Sequence, residues 1–283
     1  VNLAALFDLE TMFRLLQLDF VRQALLAAAV LGLVSGVLGP LVVARNMSFA
    51  VHGTAELAFT GAAAALLLGL SVGVGALAGA VIAAVILGVL GRRGNEQDSV
   101  IGAVLAFGLG LGVLLLWLYP GRASSKFSLL VGQIVGVDST DLALLSGASI
   151  AVIVVFAVLY RPLLFASVDP EVALARGVPL AWLTPVFAVL VGVATALGVQ
   201  TVGALLVLAL MVTPGAAAAR VTANPVTATV LAVIFAEAAV LGGIVLSLAP
   251  GAPVSSFVTA ISFTIYLVCR LIGRYRLRRV GTA

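Results

Sequence analysis

Charge is what this sequence has least of. Only 9% of its 283 residues are Asp, Glu, Lys or Arg, against roughly a quarter in soluble domains, while 63% are hydrophobic and the mean hydropathy is +1.29. A water-soluble fold is excluded. Cysteine is nearly absent too: Cys269 stands alone, so neither an intrachain disulfide nor a thiolate metal cluster can form. The one lysine, Lys126, sits in ASSKF, and the pattern GxxxxGK followed by Ser or Thr is missing. Without glycines to cradle phosphate, the chain has no phosphate-loop route to ATP hydrolysis. No Ser, Cys or paired-carboxylate constellation marks an intramembrane hydrolase. The expectation is a transport protein rather than an enzyme, with no permanently bound cofactor and no nucleic-acid partner. A basic n-region and a small-residue cleavage site are also lacking around Asp8, Glu10 and Asp19, which reads as no signal peptide.

What the sequence has in abundance is long apolar runs. A spanning helix needs about 20 apolar residues, and in lipid every backbone amide must be satisfied internally, which leaves helices or closed barrels. The runs are continuous, without the alternation of a barrel strand. Breaks at charges, proline and glycine-rich turns leave segments at 20–43, 50–69, 72–91, 99–118, 141–160, 180–198, 202–219, 226–248 and 254–272. The fold class expected is therefore all-α, a single polytopic transmembrane bundle over residues 1–283 with about nine spans, eight or ten being the alternatives. Phe127 to Val137 is apolar but only eleven residues long, which suits a re-entrant or interfacial piece. Gly32 with Gly36 and Gly75 with Gly79 stand at the spacing that lets helix backbones approach closely, and packing is the role assigned to them.

Orientation follows from the basic residues. Putting Arg45, Arg92, Arg93, Arg161, Arg176, Arg220, Arg270, Arg274, Arg276, Arg278 and Arg279 on one side collects eleven of the fifteen, which makes that side cytoplasmic. Nine spans then place the residues before the first span outside.

An ionisable side chain at a helix centre costs roughly 2.5 to 3.5 kcal/mol, so each is a functional candidate. Three qualify: His52 and Glu56 in MSFAVHGTAELAFTGAAAALLLG, and Glu237 in LAVIFAEAAVLGGIVL. His52 and Glu56 are four residues apart, hence on one helix face. An imidazole nitrogen and a carboxylate oxygen there are half of a four-coordinate site for a borderline cation. The same two groups could instead satisfy each other as interhelical glue, and the residues alone leave both readings open. Glu237 stands by itself and reads as a hydrogen-bonded helix contact.

The loop SVDPEVALARGVPLAWL carries a helix start at Asp169, Pro170 and Glu171 and a stop at Gly177 before Pro179. A short capped helix over 169–179 is expected between two spans on the cytoplasmic side, as a docking element rather than a mere linker.

Four stretches resemble the permeases of zinc and manganese ABC importers: GVLGPLVVARNMSFAVHGTAELAFTGAA, NEQDSVIGAVLAFGLGLGVLLL, DPEVALARGVPLAWL and VQTVGALLVLALMVTPGAAAAR. They lie in the family's order over most of the chain. The resemblance implies a type II ABC importer-like bundle in a prokaryotic cell membrane. It also implies a cytoplasmic ABC ATPase partner, an extracytoplasmic metal-binding protein and a permease homodimer. It places metal coordination at His52 and Glu56 and ATPase coupling at Asp169, Glu171, Ala173, Arg176 and Gly177. The family usually has Asp and then His at the two metal positions; here His52 and Glu56 keep the spacing and the donor types with the order exchanged. PVSSFV, before the last segment, also departs from the family, which has a glycine after that proline.

The function implied is passage of a divalent metal through a site at the dimer interface by alternating access. A permease for a metal chelate such as a siderophore would have no use for ligands at the midplane. An ion- or proton-coupled secondary transporter would use His52, Glu56 and Glu237 as a relay, without dependence on an ATPase, and commonly shows internal repeats; none is visible here.

Overall fold

The structure is a computed structural model that describes residues 9–90, 97–121, 139–202, 204–250 and 253–280. The described residues hold eleven helices: α1 (Leu9–Leu16), α2 (Asp19–Ala44), α3 (Ser48–Leu67), α4 (Val72–Leu90), α5 (Gln97–Leu118), α6 (Ser139–Val168), α7 (Pro170–Ala175), α8 (Leu180–Val202), α9 (Ala204–Val221), α10 (Pro225–Leu248) and α11 (Val254–Val280). Nine of them answer to the nine apolar segments of the sequence. Seven are long and apolar enough to cross a membrane, and Val72–Leu87 and Leu206–Val221 are shorter apolar stretches. The expected half-helix at Phe127 to Val137 lies outside the described residues.

Helix α6 runs eight residues past the expected end at 160, through Pro162 to Val168. Proline is tolerated there because neighbouring helices in a bundle re-satisfy the backbone groups it frees. Pro40, Pro185 and Pro214 are likewise inside helices. Where α2 meets α9, two of these prolines adjoin glycines: a Cβ on Gly215 would lie 2.7 Å from Pro40 N, and one on Gly39 would lie 2.8 Å from Met211 O. Only hydrogen atoms fit at that crossing.

Helix α3 is the inner helix. It packs against α4, α5, α8 and α9, and 72% of its apolar window is buried, against 17% for α11. Its sequence, SFAVHGTAELAFTGAAAALL, shows why. Its many alanines and glycines let four neighbouring helices close in, and a helix apolar over most of its surface belongs inside. α4 meets it glycine to glycine: a Cβ on Gly75 would come within 2.4 Å of Gly61 O. The outer helices α5, α6 and α11 instead expose large side chains such as Trp117, Val158 and Phe263, as lipid-facing surfaces do.

Candidate metal site

Both ionisable residues of α3 lie in its first half, a turn apart, which at about 1.5 Å per residue separates their Cα atoms by roughly 6 Å along the axis. Glu56 is 3% exposed; His52 is partly buried. Glu56 borders α5, where a Cβ on Gly108 would meet its Cβ at 3.2 Å. One turn on, the Thr60 hydroxyl lies 2.8 Å from the Glu56 carbonyl oxygen and 2.5 Å from that of Gly108, so it ties α3 to α5 beside the carboxylate.

Neither polar head is used up by the fold. Nδ1 of His52 and Oε2 of Glu56 are buried without a hydrogen-bond partner. Leaving such an atom unsatisfied costs about 1–3 kcal/mol, more for a charged group. The glue reading would have the two heads bonded to each other or to a neighbouring helix, and these two atoms make no such bond. A cation would supply them, since a neutral imidazole nitrogen and a carboxylate oxygen are donors that zinc and manganese accept.

The described residues bring two such donors together here. Among the described residues no group of three or more His, Cys, Asp or Glu comes together. Glu237 is on α10, its carboxylate against α2: Oε1 lies 3.0 Å from where a Cβ of Gly32 would be. The glycine makes room for this packing contact, but the hydrogen bond expected of it is not seen among the described residues, and Oε2 of Glu237 is buried without a partner.

The expected short helix is present as α7, and its local chemistry follows the sequence. The Asp169 carboxylate accepts the Val172 N–H at 3.0 Å, and Pro170 takes the first helical position. Gly177 ends it at φ +81, a left-handed conformation that favours glycine, with the Gly177 and Val178 N–H groups donating to Leu174 O and Ala173 O. Glu171 and Arg176 are exposed. Ala173 is fully buried within the chain itself, so it seats the helix, while Val172 and Leu174 on either side of it are exposed. Neither is among the residues the sequence marked, because which positions of so short a helix stay exposed depends on the neighbour it rests upon.

A cavity of about 430 Å³ opens near α7, lined among others by Arg45, Met47, Thr54, Ser167, Pro170 and Thr184. Thr54 stands two residues from both His52 and Glu56, about 200° around the helix, so the cavity faces the opposite side of α3 from the pair.

A model of the ABC 3 transport family matches residues 17–273. The chain is 30% identical over 247 residues to the manganese transport system membrane protein MntC of Halalkalibacterium halodurans, covering 87% of this chain and 83% of that one. It is 27% identical over 267 residues to the manganese import system permease protein ScaB of Streptococcus gordonii, covering 92% and 95%. Among solved structures, PsaBC from Streptococcus pneumoniae in complex with Fab superposes with a TM-score of 0.85 at 25% identity, over 95% of this chain and 99% of that one.

Proposed function

The chain belongs to the ABC 3 transport family, a multi-pass membrane permease family, and on that premise we propose that it is the membrane-spanning subunit of an ATP-driven importer for manganese or zinc. One observation carries the site assignment: the buried, unpartnered His52 Nδ1 and Glu56 Oε2 on one face of the innermost helix. Relatives named as manganese permeases support the cargo class. Two copies of the chain would bring four donors to one ion once α5, which covers Glu56 in this structure, moves aside. A transport site must also release its ion, and a set of two imidazoles and two carboxylates without thiolates suits that better than a structural zinc site. An external binding protein would deliver the metal. A cytoplasmic ATPase dimer, docking on α7, would drive the change from outward to inward access.

Membrane vesicles containing the permease with its ATPase and binding protein should accumulate manganese only with hydrolysable ATP, and zinc should compete. Within that assay Leu174→Asp, which puts a charge in place of an exposed apolar side chain of α7, should reduce uptake about tenfold, as truncating a buried interface anchor does. Uptake that persists with an ATPase unable to hydrolyse ATP would turn the reading toward a secondary carrier, and normal uptake by Leu174→Asp would remove α7 as the dock.

The orientation gives an independent expectation. Each Arg near anionic headgroups contributes about 1 kcal/mol, and α11 runs beyond its apolar window into RYRLRR. Protease added to sealed right-side-out vesicles should leave a C-terminal tag intact. Cleavage of the tag would invert the topology.

A further inference from the structure

Arg45 is the residue that closes α2, and its side chain reaches away from its own helix. Nε donates to Ser167 Oγ at 2.7 Å and Nη2 to the Leu163 carbonyl at 3.3 Å, both on the last turns of α6. The same guanidinium lies over the Phe187 ring of α8, 5.0 Å from its centroid. These two helices flank α7, the proposed ATPase dock: Ser167 precedes Pro170 by three residues, and α8 begins at Leu180. One head group therefore holds both arms of the docking hairpin.

On its other side Arg45 is joined to the metal-site helix by the shortest of links. Its N–H donates to Leu41 O, Met47 N–H donates back to Val42 O at 2.9 Å, and Asn46 between them turns at φ +55. Helix α3 starts at Ser48, and His52 follows Arg45 by seven residues. A tight, hydrogen-bonded turn passes displacement on rather than absorbing it. The 430 Å³ cavity borders this same junction, touching Arg45, Met47, Ser167 and Pro170, so the junction has free space beside it where a close-packed interior would resist movement. Among the described residues the guanidinium's partners are two neutral oxygens and a ring, contacts strong enough to select one arrangement without the buried ion pair that would lock it.

The geometry points to Arg45 as a positioning residue that relays movement of α7 to α3, so that docking of the ATPase resets the His52 and Glu56 donors; this rests on the permease reading above. Removing it should let the ATPase turn over without moving metal.

The test uses the complete importer in proteoliposomes and reads metal ions moved per ATP hydrolysed. Arg45→Met keeps length without hydrogen bonds, and should lower that ratio about tenfold, the shift expected when a charge-assisted hydrogen bond no longer favours one of two states. ATP hydrolysis should stay within about twofold of wild type, because the hydrolytic site is in another subunit. Ser167→Ala, which removes one hydroxyl and serves if Arg45→Met does not assemble, should lower the ratio by about threefold. Arg45→Lys should restore part of it, and the double variant Arg45→Met with Ser167→Ala should match Arg45→Met alone, because the two side chains act through one contact. A ratio that stays at the wild-type value in these variants, or uptake and hydrolysis that fall in parallel, would overturn the relay and leave Arg45 a structural bracket. A wild-type complex with no ATP-dependent uptake would remove the permease reading, and the relay with it.

Discussion

Glu56→Gln should reduce metal uptake by about a hundredfold, at least what removing an outer-shell partner costs at a metal site, with the protein inserted in normal amount. The substitution keeps the size of the side chain and its capacity for hydrogen bonds, and removes the charge. Packing around Gly108 and the Thr60 tie to α5 would survive it, so a residue that only fills space would be indifferent. His52→Ala should have a similar effect, and the double variant should be little worse than either single one, since a ligand set acts as a unit. Exchanging the pair, His52→Asp with Glu56→His, restores the donor order that the resembling family uses. It should retain measurable uptake and shift the preference between manganese and zinc, because the same donor types remain one turn apart. Transport assays with both metals, normalised to inserted protein, check all four variants.

Gly61→Leu should prevent assembly of the bundle altogether. A single Cβ there would lie 2.1 Å from the Gly75 carbonyl oxygen and 3.0 Å from Gly79 Cα. These are backbone atoms of α4, which cannot rotate aside as a side chain would. Overfilling a packed interior costs about 1–3 kcal/mol where neighbours can relax, and here the α3/α4 pair must separate along much of its length. Gly102→Ala is the control, since nothing stands within 4 Å of a Cβ at that position. Detergent-solubilised Gly102→Ala protein should elute and melt as wild type. Gly61→Leu should yield aggregate or no protein, and a normal elution profile for it would mean that α3 and α4 are not held this closely.

The fold was largely legible because membrane spans write themselves as uninterrupted apolar runs. Each of the nine segments has its helix, within a few residues at most ends. The larger differences have physical causes: α6 continues through Pro162 where the sequence suggested a stop, and α11 continues into an arginine-rich stretch that is polar yet still helical. The caps of α7 were readable because Asp169, Pro170 and Gly177 act within their own few residues. What a side chain touches across the bundle was not readable. Arg45 and Ser167 are 122 positions apart, and Gly32 meets Glu237 from the far end of the chain. Nothing in local sequence marks either pairing. The candidate site was half legible. Spacing put His52 and Glu56 on one face, but only the packed structure reveals that two of their polar atoms lack partners, while Ala173, grouped with the docking residues, points into its own chain.

The most direct measurement is equilibrium binding of radioactive manganese to the purified permease alone, without ATPase or binding protein, at metal concentrations high enough to fill a weak site. Donors from two chains meeting at one ion predict saturation at one manganese per two chains, abolished by Glu56→Gln and displaced by zinc. Saturation at one ion per chain, or binding that Glu56→Gln and His52→Ala leave unchanged, would contradict a shared site built from this pair.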